Sequence, residues 1–389
     1  MGMNPMTRKR LVVCCDGTWA KEETQTHIFR LFGMIPEEPA NDAYQLKHYV
    51  SGVGSSRWTR FRGGAFGFGL NENLQRAYNW LVEHYEPGDE IFCFGFSRGA
   101  YTARSLCGMI GTSGLFCREH QGETDLAMNY YRVPPERRPQ SRQHRQLQRI
   151  RRHPEETLSV RMLGVFDTVG ALGVPIPALA SFAQGGRRVN FHDTTLGPLV
   201  ENAFHALAID EQRGPFKPTL WTLADGDAST PPQARRFDGS RVDQQVVQAW
   251  FPGVHSDVGG GYDNKALADV PFLWMLREAQ ALGLHIEESM IEECLSPNPF
   301  APAHDSLNLQ YKLTAYWPWI DDNRPRLIGA EARHRAGLGA ARNAMVHQAT
   351  LDRIEQASQL PPKQSPYRPL NLVNPQGELI EPMDVANTR

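Results

Sequence analysis

The stretch Ile91-Phe92-Cys93-Phe94-Gly95-Phe96-Ser97-Arg98-Gly99-Ala100-Tyr101 decides how this chain is read. An apolar run ends in Gly-x-Ser-x-Gly, and Ala100, Ala103, Leu106, Cys107 and Ile110 continue at helical spacing. Strand, sharp turn and helix in that order make a nucleophile elbow. The strand carries Ser97 to the edge of a sheet. Gly95 and Gly99 leave room for close backbone approach, and the helix N-terminus sits beneath the hydroxyl. The five-residue pattern alone is weak, because a Gly-Ser turn between a buried strand and a buried helix reads the same way. Its aromatic-rich strand and its helix strengthen it.

The same rhythm extends on both sides. Leu11 to Cys15 is a short apolar run that ends at Asp16-Gly17-Thr18, as a buried parallel strand and its loop would. Tyr44 to Val50 alternates and predicts a second strand. Six glycines between Gly52 and Gly69 predict a loop. Asn71 to Tyr85 has helical spacing and stops at Pro87-Gly88. Val160 to Phe166 is a further strand that ends at Asp167. Phe204 to Asp210 looks like a helix turn or buried segment. Val246 to Val254 is apolar and runs into His255-Ser256-Asp257, and Asp269 to Leu282 is an amphipathic helix. The expected fold is therefore α/β: a mostly parallel central sheet, helices on both faces and inserted cap or loop segments. The catalytic domain is placed at residues 10–295, with an arginine-rich insertion at about 130–155. Residues 296–389, where proline and polar residues thicken, read as an extension packed on the same domain.

Composition narrows the function classes. A net charge of −2 argues against a general nucleic-acid binder. No apolar run approaches the roughly 18 residues that span a bilayer. Leu11–Cys15 is cut short by Asp16, so no signal peptide is read and the chain is expected to be cytoplasmic as synthesised. The six cysteines lack metal-ligand spacing and suit buried thiols in a reducing compartment. From Arg132 to His153, eight arginines accompany the single acid Glu136. Two readings stay open for this segment: a solvated cap arm, or a basic surface that makes transient contact with anionic lipid.

A serine hydroxyl needs a base to take its proton and an acid to orient that base. In α/β-hydrolases these follow in the order Ser, acid, His, each just past a strand. Ser97, Asp167 and His255 fit that order and those positions. Asp257, two residues from His255, competes as the acid or braces its glycine loop, and Asp16 could orient the loop after the first strand. His205 and Asp210, in one helix-like stretch, suit a structural role better. The oxyanion hole would take the backbone N–H of Arg98 and a second one from Gly17 or Thr18. This chemistry needs no metal and no organic cofactor. The Asp-Gly-Thr at 16–18 has Cys14 where a haloacid-dehalogenase-type phosphatase has its nucleophilic aspartate. Gly63 to Gly69 follows no strand at dinucleotide-fingerprint spacing. A metal-dependent hydrolase built on Asp16, His255 and Asp257 lacks clear ligand spacing. A non-catalytic protein that binds anionic surfaces on the same fold is the main alternative.

Six segments together resemble a known family. They are Leu11–Trp19, Gly67–Leu70, Gly95–Arg104, Phe166–Gly173, His205–Glu211 and Trp250–Tyr262, with a weaker echo at Tyr367–Leu372. They closely resemble the catalytic domain of bacterial type VI secretion phospholipase effectors of the first lipase class, over about residues 10–285. The resemblance implies an α/β-hydrolase-like fold and a hydrolase of carboxylic esters, in some members the acyl esters of phospholipids, with Ser97 as nucleophile, Asp167 as acid and His255 as base. It also implies type VI export and a secretion or immunity partner. The chain departs from the family at Ala20 and at Thr26-His27-Ile28, where Asn and Thr-Asn-Val are usual.

Overall fold

Leu11, Val13 and Cys15 belong to one core and Val12 and Cys14 to another, although all five lie on a single strand, β1 (Lys9–Cys15). A strand buried on both faces in this way sits in a sheet covered by helices on either side. The structure is a computed structural model that describes residues 8–17, 24–37, 44–52, 65–170, 196–222, 233–236, 239–307, 325–328, 341–369 and 371–372.

After β1 come α1 (His27–Met34), β2 (Tyr44–Val50), α2 (Ala65–His84), β3 (Glu90–Phe96) and α3 (Arg98–Ser113). The insertion that follows carries α4 (Thr124–Tyr131) and α5 (Arg142–Leu147), and the chain then enters β4 (Val160–Phe166) and β5 (Asn202–Ala208). Two short strands, β6 (Gln233–Arg235) and β7 (Arg241–Asp243), pair antiparallel with each other. Then come β8 (Gln245–Phe251), α6 (His255–Gly259), α7 (Asp269–Ala281), α8 (Glu288–Cys294), β9 (Ala344–Val346) and α9 (Gln348–Glu355).

The main sheet has seven strands in the order β2-β1-β3-β4-β5-β8-β9, and every neighbouring pair is parallel. Leu74, Tyr78 and Leu81 of α2 and Ala103, Leu106 and Ile110 of α3 pack on one face with Leu11 and Val13. Ile28 and Leu31 of α1 and Phe272, Met275 and Leu276 of α7 cover the other, against Phe92, Phe94, Phe166 and Phe204. This is the expected α/β-hydrolase-like arrangement.

Three local expectations are corrected. Of the two readings at 204–210, the buried segment holds and the helix turn does not, because β5 occupies it as far as Ala208 with all seven of its residues buried. Its sequence, Asn-Ala-Phe-His-Ala-Leu-Ala, is rich in helix formers, and a strand buried on both faces shows no alternation to reveal it. The glycine-rich loop is shorter than expected, because α2 already begins at Ala65; residues 53–64 lie outside the described residues. The C-terminal stretch, where periodicity fades, nonetheless supplies the seventh strand. Around it Leu207, Trp250, Ile328, Val346, Leu360 and Tyr367 form a third apolar cluster.

The arginine-rich insertion packs on the far half of α3. A Cβ on Gly108 would meet Tyr131, Ser113 donates to the Ala127 carbonyl, and Phe116 bridges to Arg152. Its exposed arginines therefore belong to the end of α3 remote from Ser97. Among the described residues no helix is long and apolar enough to cross a membrane. The six cysteines are free thiols, and Cys14, Cys15, Cys93 and Cys107 are buried.

The approach of α3 to the sheet fixes the elbow. A Cβ on Gly99 would lie 2.1 Å from the Cys15 carbonyl oxygen, and one on Gly95 would lie 2.5 Å from the Ala100 Cα. Both obstacles are backbone and cannot rotate away. Gly99→Ala should therefore cost about 3 kcal/mol or more. Urea unfolding of the variant beside the wild type measures this, and a midpoint within error of wild type would contradict the packing.

Candidate active site

Ser97 sits between β3 and α3 at φ 56° and ψ −119°, a conformation rarely adopted by residues with side chains. The Ser97 backbone N–H donates to the Phe166 carbonyl (3.0 Å), which ties the elbow to the end of β4. One residue further on, Asp167 also has positive φ, 39°. Its N–H donates to the Ala206 carbonyl at 2.7 Å. Two strained residues thus stand side by side at the carboxyl ends of neighbouring strands, where open α/β sheets gather their reactive groups. His255 opens α6, after the turn that leaves β8. Gly253 shapes that turn at φ 105°, where a Cβ would lie 2.4 Å from the Asp257 Cβ.

The structure brings Ser97, Asp167 and His255 together. His255 Nδ1 lies 2.5 Å from Asp167 Oδ2, and His255 Nε2 lies 2.9 Å from Ser97 Oγ. All three residues are buried. Phe96 and Phe216 hold the imidazole, with ring centroids 4.7 and 4.8 Å from it. The His255 N–H donates to Glu211 Oε2 (3.2 Å). Glu211 is fixed in turn by Arg213 Nη2 at 2.8 Å and Ser306 Oγ at 3.1 Å. A histidine restrained in its ring plane and its backbone meets its partners without searching.

Arg326 is part of this group, and no sequence signal pointed to it. Its Nη1 lies 2.6 Å from Asp167 Oδ1 and its Nη2 lies 2.9 Å from Oδ2. The Ala208 N–H adds a donor to Oδ1 at 3.0 Å. Burial alone would push the Asp167 carboxyl upward. The Arg326 charge, the His255 hydrogen bond and those from Arg326 overcome it and hold the group well below the usual carboxylate range.

The other predicted residues fall as follows. The Asp16 carboxylate accepts from Thr26 Oγ1 (2.6 Å), Tyr49 Oη (2.7 Å) and the Gly17 N–H (2.6 Å), so it braces the start of the loop after β1. A Cβ on Gly17 would come 3.4 Å from the Ser97 Cβ, which puts Gly17 directly against the serine. Thr18 lies outside the described residues. Arg98 is the first residue of α3. Asp257 is engaged by other partners. It accepts from the Val254 N–H (3.0 Å) and pairs with His304 Nδ1 (2.6 Å). Among the described residues, no three His, Cys, Asp or Glu side chains converge as a metal site requires. His205, in β5, accepts the Thr168 N–H at 3.1 Å and so steadies the turn that presents Asp167. Burial, with Arg104 nearby, lowers its pKa to about 3, so it is neutral.

Asp210 accepts from the Gly253 N–H and from Tyr367 Oη, both at 2.7 Å, and Asn371 Nδ2 donates to the Ile209 carbonyl at 2.8 Å. The short C-terminal echo, Tyr367 to Leu372, thus docks on the loop that leaves β5. Burial lifts the Asp210 carboxyl to about 6, against an unfolded value near 4. Between those values the native state holds a proton that the unfolded chain has released, so this group's contribution to stability falls as pH rises through the window. Asp210→Asn, which keeps an acceptor and has no proton to lose, should remove about 2 to 3 kcal/mol of that decline. Urea unfolding at about pH 4 and about pH 7 measures it. Equal pH slopes for wild type and variant would contradict the assignment.

Comparison with known proteins places these observations in a family. Residues 9–278 match the model of the type VI secretion phospholipase effector Tle1-like catalytic domain. An uncharacterized protein of Saccharomyces cerevisiae is 28% identical over 240 residues, which is 55% of this chain and 33% of that protein. An uncharacterized Pseudomonas aeruginosa protein of known crystal structure is 16% identical with a TM-score of 0.42, covering 73% of this chain and 48% of that one. A Tle1 effector bound to the VgrG spike of a type VI secretion system is 19% identical with a TM-score of 0.35, covering 66% of this chain and 52% of that one. The chain thus spans about a third of the length of the yeast relative and about half of those two solved chains. The chain belongs to the Tle1-like phospholipase effector catalytic-domain family.

Proposed function

We propose that this member of the Tle1-like family is a serine hydrolase that cleaves carboxylic esters, with phospholipid acyl esters as the substrate class that family membership favours. The observation that carries the reading is the unbroken chain of contacts from Asp167 Oδ2 through His255 to Ser97 Oγ, at 2.5 and 2.9 Å. Ser97 Oγ attacks the ester carbonyl while His255 Nε2 takes its proton. Asp167 stabilises the resulting imidazolium and keeps Nδ1 protonated. The N–H of Arg98 is the first donor to the oxyanion. The loop after β1 supplies the second, either through Gly17, on release of its bond to Asp16, or through Thr18 beside it. Collapse of the tetrahedral adduct expels the alcohol, which takes the proton from His255 and leaves an acyl group on Ser97. Water deprotonated by the same histidine then releases the carboxylic acid and restores the serine.

Export by type VI secretion, with a carrier or immunity protein as partner, belongs to the same proposal and rests on the family alone. One observation favours a second reading. Arg137, Arg142, Arg145 and Arg149 are exposed on the insertion, which suits a protein that docks on an anionic surface without catalysis. Their place at the end of α3 remote from Ser97 makes such docking a poor way to present the serine to a bilayer.

Ser97→Ala should leave the fold intact and lower turnover of p-nitrophenyl esters by about three orders of magnitude or more. A fluorophosphonate probe should label the wild type and not the variant. With mixed phospholipids, mass spectrometry should find fatty acid and lysolipid. Hydrolysis of short soluble esters alone would limit the activity to an esterase. Salt-sensitive binding to anionic liposomes in both proteins, with no labelling of Ser97, would support the second reading instead.

A further inference from the structure

Asp167 is wholly buried, and each of its oxygens receives two donors. Oδ1 takes the Ala208 N–H and Arg326 Nη1, and Oδ2 takes His255 Nδ1 and Arg326 Nη2. Arg326 contributes half of these bonds. It also donates to the Ala208 carbonyl at 2.7 Å and to the Phe216 carbonyl at 2.6 Å. Phe216 is the residue whose ring meets the His255 imidazole edge-on at 4.8 Å. One guanidinium thus fastens the turn after β4, the end of β5 and the aromatic wall of the histidine. Its planar fork matches the carboxylate as a single ammonium cannot. Two residues further on, Ile328 is buried in the cluster with Trp250 and Val346, which anchors the segment that delivers it. Nearby, His304 and Ser306 bind Asp257 and Glu211, the carboxylates on either side of His255. All three C-terminal residues lie beyond the span 9–278 that matches the catalytic domain.

We propose that Arg326 is the positioning residue of this site, fixing the plane of the Asp167 carboxylate and opposing excess positive charge on His255, so that the C-terminal segment completes the catalytic centre. The inference rests on the serine-hydrolase reading. Its electrostatic consequence has a definite sign. A fixed cation beside Asp167 keeps that carboxylate ionised and disfavours any proton added to the Asp167–His255 pair. Removing it should let the pair take up a proton more readily and move the acid limb of the activity profile to higher pH. The other charged groups around His255 stay in place: Glu211 with Arg213 at its backbone, Asp257 with His304 on its own helix, Arg98 at the start of α3, and Asp16 beyond Gly17.

The test is the rate of fluorophosphonate labelling of Ser97 against pH, in the full chain, for wild type, Arg326→Gln and Arg326→Lys. Arg326→Gln should label about tenfold or more slowly, with its acid limb about one pH unit higher. Arg326→Lys, which keeps the charge and loses the fork, should label more slowly with the limb unmoved. Wild-type rates and limbs in both variants would overturn the proposal, as would slower unfolding-corrected rates with no shift in Arg326→Gln. If Arg326→Gln does not fold, Arg326→Lys carries the test, and a wild-type rate there overturns it. Failure of the underlying reading is separate: the wild type would not be labelled at Ser97 at all.

Discussion

A carboxylate with no exposure to solvent stays ionised only where opposite charge and donors reach it, and Asp167 is in that position. Its cation, Arg326, arrives from 159 residues later in the chain. Much of this end of the molecule follows from that requirement. The turn after β4 must adopt positive φ to present the carboxylate, and His205 steadies that turn. Ile328, two residues after Arg326, is buried with Trp250 and Val346 and anchors the segment that brings the guanidinium in. A buried ion pair is weak evidence for stability in its own right. Here the same bonds orient an imidazole, which a pair of apolar residues could not do.

The elbow imposes a second constraint, one of space. Gly95 and Gly99 let α3 touch the backbone of β1 and β3, and that contact brings Gly17 against Ser97. Asp16, itself held by Thr26 and Tyr49, then fixes the first loop from below. His27 stacks on Phe272 at 4.5 Å, which helps seat α1, while Thr26 supplies the polar link to Asp16. Ser97, Asp167 and His255 each stand on a short turn off a buried strand. Their relative positions are therefore set by the sheet and not by long loops.

The parts legible in the sequence were those with local signals. An apolar run cut off by Asp16, Ser97 or Asp167 announces a buried strand and its reactive end, and the order of Ser97, Asp167 and His255 follows the chain. β5 was hidden because Ala203, Ala206 and Ala208 are good helix formers and the strand is covered on both sides. Arg326 was hidden for a different reason. It stands among several arginines in a stretch without periodicity, and nothing local marks it as the partner of an aspartate across the fold. His304 shares that character. Tyr367 and Asn371 did carry a faint signal, the short echo that docks at Asp210 and Ile209.

The central claim is that Ser97 carries the acyl group. The most direct measurement is to quench the wild-type chain with acid during steady turnover of a slow phospholipid or nitrophenyl ester, digest it and map the peptides by mass. The account predicts that the peptide containing Ser97 gains the mass of one acyl group, and that the adduct disappears once substrate is exhausted. Sustained turnover with that peptide unmodified, or an adduct on any other residue, would contradict it.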